Sequence, residues 1–376
     1  MELMTKRKAL FICNAKFLYN SSPEGGVKFC TDEYVKLVKE QFDLIEFPVA
    51  YNQNLVYRFK KKLGLAVYED YDTNSYSSKL KKVINEEGIN HVFLNLTNTA
   101  PFAAVIKELV PITKIILCSH GNESGDFLHD IAGHNKFSGI NNKIATYALG
   151  KMLLKEYDVR KYIDLVLTVS DVEINIEKWL GATNVYMVAR TIEKYISSSI
   201  PVKGRVGFLS DLSHEPNFYG IKNLCEQLSK LSHHQISLHL VGSGKERAML
   251  LEKEYSFIKY LGHLSNDQLK IEIDTWTFGL NPVFYYSRGV STKLGKILGM
   301  GIPVITTDKG MRGYKWDEGK ILVCQNEKEM AELIIENAKS EKFYLAYKEE
   351  VQKIQETSPS LSLMMREITM LLGADE

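Results

Sequence analysis

The feature that most constrains this chain is a rhythm: short apolar runs alternate with amphipathic stretches, and the alternation stops and restarts near the middle. "KALFICNA" reads as a strand, followed by the polar loop "KFLYNSSPEGG" and a helix over "VKFCTDEYVKLVKEQ". "FDLIEFPV", a helix near "SYSSKLKKVINEEG", the strand "HVFLNL", the helix "PFAAVIKELV" and the strand "TKIILCSHG" continue the series. A helical section over 135–162, the strand "DLVLTVS", the helix "DVEINIEKWLG" and the strand "NVYMV" complete it. Strands alternating with helices predict a parallel sheet with helices on both faces.

The rhythm breaks across "ARTIEKYISSSIPVKG", where Ser and Pro cluster. It resumes with the strand "RVGFLSD" and the helix "GIKNLCEQLSKL", then the strand "ISLHLVGSG" and the helix "KERAMLLEKEY". "IKYLGHL", "SNDQLKIEIDT", "TFGLNPV", a short helix after residue 291 and "PVITT" follow. The chain has 376 residues, which also favours two cores over one. The expected class is therefore α/β, two tandem doubly wound, Rossmann-like domains over 1–200 and 201–376. The amphipathic helices of 327–372 are expected outside the second sheet, the last packing back on the first domain.

Several function classes are excluded by composition. The net charge of +1 gives no global bias toward nucleic acid or membrane. Five scattered cysteines with no CxxC pair argue against a disulfide framework or a zinc site, and for a reducing compartment. No apolar run approaches the roughly 18 residues of a membrane span, so the expected location is cytoplasmic, with any membrane contact peripheral. The basic stretch "VYRFKKKLGL", with Arg58, Lys60, Lys61 and Lys62, is either a solvated helix or a contact with an anionic bilayer on its inner face.

The chemistry concentrates in "RGVSTKLGKILGMGIPVITT". Gly289 permits close backbone approach, and Ser291 or Thr292 suits a helix N-cap. A helix N-terminus offers free N–H groups and a positive dipole end, which favour a phosphate. Lys293 adds a full charge in the first turn. Gly299 and Gly301 suit the helix end, and Pro303 an extended start to "VITT". The plainer reading is a capped helix between strands with Lys293 in solvent.

This stretch resembles the signature of the GT-B glycosyltransferases, in particular glycosyltransferase family 4, with Lys293, Gly301 and Pro303 at matching spacing. "GMRGY" resembles the segment that follows the strand there. "VGFLSDLSHEPNFYGIKNL", "LHLVGSG" and "IKYLGHLSNDQL" are similar to the preceding strands of the donor-binding domain, which puts His263 and Leu264 near a nucleotide base. In the first domain "SSPEGGVKFCTDEY" resembles a Gly-rich turn, with Gly25 and Gly26 toward donor phosphates. "IILCSHGNE" resembles the strand ending in a histidine near the reacting sugar, His120, and "DLVLTVSDVEI" the segment that holds Ser170. "VYMVART" stands where the family has "PNG" and matches poorly. The ordered set touches about 300 residues.

One departure is explicit. The family commonly has two glutamates separated by seven residues, and here those places are Arg288 and Lys296. Either these bases strengthen a diphosphate clamp or suit an acidic sugar, or the site has decayed, or Lys296 points to solvent. The resemblance implies transfer from a nucleoside-diphosphate sugar, uridine diphosphate first among the bases, to a glycan, lipid-linked or protein acceptor. It implies retention of configuration and no metal or other cofactor. Arg288, Gly289, Ser291, Thr292, Lys293 and Lys296 would hold the donor, while His120, Glu123 and Asp126 would orient or deprotonate the acceptor. Three alternatives remain: an inactive GT-B subunit that stabilises a partner transferase, a GT-B epimerase, and a nicotinamide-dependent dehydrogenase. The last would need a G-x-G-x-x-G after the first strand, and none stands there.

Overall fold

The computed structural model describes residues 6–19, 25–133, 140–194, 201–231, 236–284 and 289–373. The chain divides into two compact units, Met1–Ala189 with Ser360–Glu376, and Arg190–Pro359.

The first unit runs β1 (Arg7–Asn14), α1 (Ala15–Leu18), α2 (Gly26–Lys39), β2 (Phe42–Val49), α3 (Leu55–Lys62), α4 (Ser77–Glu86) and β3 (His91–Asn95). It continues with α5 (Phe102–Leu109), β4 (Lys114–Cys118), α6 (Glu123–Gly133), α7 (Ile140–Arg160), β5 (Leu165–Thr168), α8 (Asp171–Trp179) and β6 (Val185–Met187). The six strands pair in parallel in the order β2-β1-β3-β4-β5-β6. Helices cover both faces, so the central strands are unbroken apolar runs: Leu10, Phe11, Ile12, Val92, Phe93 and Leu94 are all fully buried.

The second unit has β7 (Arg205–Leu209), α9 (Glu215–Leu228), β8 (Ser237–Val241), α10 (Lys245–Glu254), β9 (Ile258–Gly262), α11 (Asn266–Ile273) and β10 (Phe278–Asn281). Then come α12 (Thr292–Gly299), β11 (Val304–Thr307), β12 (Leu322–Cys324), α13 (Glu327–Asn337) and α14 (Glu341–Glu356). Its sheet is also parallel, in the order β12-β11-β10-β7-β8-β9. The last helix, α15 (Leu361–Leu371), belongs to the first unit. There the Thr369 hydroxyl donates to Gln41 Oε1 at 2.6 Å.

Two local results differ from the sequence reading. The helix expected from Gly220 begins at Glu215, because Pro216 fits the first turn, where no N–H is needed. The loop expected after β1 opens with the one-turn helix α1, whose Asn14 side chain accepts from the Lys16 N–H.

Candidate functional site

In an open parallel sheet, ligands settle beyond the carboxyl ends of the strands where strand order reverses. In the second unit that reversal lies between β10 and β7. The helices leaving those two strands are α12 and α9, so the elements that flank the crevice follow from topology alone.

Their side chains meet there. Lys293, in the first turn of α12, donates from Nζ to Oδ1 of Asn217 on α9 at 2.6 Å. The same ammonium lies 5.5 Å from the ring centroid of Phe208 on β7. Asn217 is itself oriented, since its Nδ2 donates to the Asp211 carbonyl at 2.9 Å. No described carboxylate pairs with Lys293. The residue keeps partial solvent contact, yet desolvation lowers its ammonium from the ordinary 10.5 to about 8. A cation held this way is costly unless an anion joins it.

The start of α12 is fixed from behind. Ser291 stands at its N-cap position, but its hydroxyl donates to Asn281 Oδ1 at 2.7 Å instead of capping the helix. Tyr314 receives the Gly295 N–H at 2.8 Å and donates to the Ser291 carbonyl at 2.7 Å. Gly289 has φ +71°, a left-handed conformation that glycine adopts without strain. The first N–H groups of α12 are thus presented beside a desolvated ammonium, an arrangement suited to a phosphate.

The first unit gathers a polar network at the carboxyl ends of β1, β3 and β4. The reversal of strand order there lies between β1 and β3. Asn95, fully buried, donates to Thr31 Oγ1 at 3.0 Å and to Cys13 Sγ at 3.2 Å. Its Oδ1 therefore faces His120 Nε2 at 2.9 Å, which assigns the ring proton to Nε2. Tyr34 donates to the carbonyls of Ser119 and Leu167, tying α2 to the ends of β4 and β5. Between these residues Leu96 takes φ 72° and ψ 147°, a region that is nearly exclusive to glycine. Such strain costs on the order of 1–3 kcal/mol and concentrates at functional sites.

Glu156 of α7 holds the next segment. Its fully buried carboxylate accepts from Asn122 Nδ2 at 2.8 Å, Ser124 Oγ at 2.7 Å, the Ser124 N–H at 3.1 Å and the Tyr68 hydroxyl. Burial and, after it, this carboxylate hold the Tyr68 phenol well above its ordinary range. Tyr68 itself has φ 52°. The segment 122–124 leads into α6, whose first turn carries Glu123 and Asp126, both half-buried.

The sequence candidates thus separate. Gly289, Ser291, Thr292, Lys293 and Lys296 share the start and body of α12; Lys296, half-buried, makes no ion pair with a described residue. Arg288 lies outside the described residues. His263 is exposed and Leu264 packs against the core after β9, two strands or roughly 10 Å from β7. In the first unit His120, Glu123, Asp126, Gly25, Gly26 and Ser170 all follow strands at the carboxyl edge. Gly25 and Gly26 begin α2 exposed, and a Cβ on Gly26 would meet nothing within 4 Å. Ser170 is fully buried at the N-cap of α8, and its hydroxyl makes no hydrogen bond to a described residue. Sequence reasoning missed Asn217, Asn95, Tyr34 and Glu156, whose signal is a partner distant in sequence. Among the described residues no three His, Cys, Asp or Glu side chains cluster to hold a metal ion.

Residues 203–339 match the family Glycosyl transferases group 1. No curated protein sequence matches the chain. Sucrose-phosphate synthase from Thermosynechococcus elongatus is similar over 99% of this chain and 100% of its own, with TM-score 0.67 and 13% identity. Trehalose-6-phosphate synthase OtsA is similar over 97% of this chain and 99% of its own, with TM-score 0.63 and 10% identity. HepE from Anabaena, solved with UDP-glucose, is similar over 98% of this chain and 99% of its own, with TM-score 0.60 and 14% identity. At such identities the likeness is one of fold. The match of residues 203–339 to Glycosyl transferases group 1 therefore stands in a chain whose two α/β units have the fold of the GT-B glycosyltransferases.

Proposed function

We propose that the chain transfers a sugar from a nucleoside-diphosphate sugar, with uridine diphosphate the favoured carrier, to a hydroxyl of a glycan, lipid-linked or protein acceptor. The observation that carries this reading is Lys293: a desolvated ammonium with an amide but no described carboxylate beside it, where strand order reverses. Transfer leaves a nucleoside diphosphate, whose growing charge needs donors already in place. Lys293 and the first N–H groups of α12 are such donors and require no metal ion. The UDP-glucose in HepE on a similar fold supports the choice of base.

On the acceptor side, we assign His120, Glu123 and Asp126. With Nε2 donating to Asn95, the Nδ1 of a neutral His120 ring is the basic nitrogen. Retention of configuration is part of the proposal and follows from the family resemblance. A non-catalytic subunit serving a partner transferase is the second reading, favoured by Arg288 and Lys296 at the two places where the resembled family commonly has glutamates.

A melting-temperature screen against UDP, GDP, CMP and ADP, then their sugars, tests the proposal. UDP should raise the melting temperature of the wild type and leave Lys293→Ala unmoved. Lys296→Glu should weaken transfer if the base belongs to the working site; a gain in transfer points to the second reading. No shift with any nucleotide contradicts the proposal.

A further inference from the structure

Helix α3 is turned the wrong way for a surface helix. Asn54 caps it, accepting the Val56 N–H at 2.8 Å, and Tyr57 alone is buried. Tyr57 donates to Asp70 Oδ1 at 2.6 Å and accepts from Lys61 Nζ at 3.0 Å, which fixes which side faces inward. Leu55, Val56, Phe59 and the following Leu63 are exposed at 77%, 62%, 64% and 43%. At roughly 100° per residue these four fall in one arc on the side away from Tyr57. An amphipathic helix ordinarily turns that arc toward its own core.

Charge says what covers it. Arg58 and Lys62 flank the apolar arc on one side and Lys60 on the other, and the helix contains no acid. Lys60 meets Glu69 at 2.9 Å and Lys61 meets Asp70 at 3.6 Å, while Arg58 and Lys62 make no ion pair with a described residue. The exposed residues near the start of the adjoining helix also include basic and aromatic ones. A Cβ on Gly64 would lie 3.8 Å from Ile144 of α7, beside which Lys143, Tyr147 and Lys151 are exposed. A second copy of this chain would set bases against bases. An apolar interior rimmed by negative charge is what the face fits.

We propose that α3 lies in the interface of an anionic lipid bilayer, with Leu55, Val56, Phe59 and Leu63 among the acyl chains and Arg58, Lys60 and Lys62 at the headgroups. No described helix is long and apolar enough to cross a membrane, so the contact is from one side. The inference goes beyond the sugar-transfer proposal and stands or falls separately, because it is read by lipid binding and not by turnover.

The test is co-sedimentation of the full chain with vesicles of phosphatidylcholine alone, or with about a third phosphatidylglycerol. Binding is expected to the anionic vesicles only and to weaken in high salt. Leu55→Gln/Phe59→Gln and Arg58→Gln/Lys62→Gln should each weaken it at least about tenfold, with unchanged melting temperature and unchanged response to UDP. Failure to bind anionic vesicles, or binding as tight as wild type by either double variant, overturns the proposal. So does a dimer in light scattering that Leu55→Gln/Phe59→Gln dissolves, which would give the face to a second copy.

Discussion

Lys293 Nζ lies 2.6 Å from Asn217 Oδ1, though 76 residues separate the two in sequence. The amide orients the ammonium without neutralising it, which leaves the charge available to a ligand. Burial lowers its pKa to about 8, below the 10.5 of an unfolded lysine. The unfolded chain therefore keeps this proton longer, and the contribution of Lys293 to stability of the free protein improves as pH rises from about 8 past 10.5. Binding of a diphosphate has the opposite dependence because it needs the ammonium. Calorimetry should show UDP affinity falling as pH rises through about 8, and Lys293→Arg, which stays charged, should flatten the curve.

Glu156 should matter to stability and to the acceptor step, but not to the donor. Glu156→Ala strands the Asn122, Ser124 and Tyr68 groups that it now satisfies. Each buried unmet group costs about 1–3 kcal/mol, so urea unfolding should show a loss of about 3 kcal/mol or more. Glu156→Gln should cost less. In that milder variant kcat should fall while the melting shift with UDP is kept.

Arg160 and Glu177 form a fully buried pair at 2.6 and 3.0 Å. Removing one partner leaves a lone buried charge. Glu177→Leu should cost about 3–5 kcal/mol in urea unfolding, and adding Arg160→Met should recover much of it.

Gly220 tests the crevice wall. A Cβ there would lie 2.3 Å from the Pro282 carbonyl oxygen, so α9 approaches the end of β10 too closely for any side chain. Gly220→Ala should cost about 1–3 kcal/mol by overpacking. By shifting α9 and Asn217 it should also weaken UDP binding, measured by calorimetry.

Both sheets were legible in the sequence because strands buried on two faces, such as Leu10–Ile12 and Val92–Leu94, are continuous apolar runs. The start of α12 was legible too, since Gly289 and Lys293 belong to one local segment. Asn217 and Glu156 were not: a polar residue shows its role only through partners that the fold brings from afar. Nor was the outward face of α3, because helical spacing marks a stripe without saying which way it points. The start of α9 was misread by a few residues because proline signals a break as readily as a first turn.

The central claim is that Lys293 and the start of α12 grip a diphosphate. A crystal structure of the full chain with UDP tests it most directly. The account predicts a diphosphate oxygen within about 3 Å of Lys293 Nζ, facing the first N–H groups of α12. Nucleotide bound elsewhere, or Lys293 still facing Asn217 with no phosphate near, would contradict it.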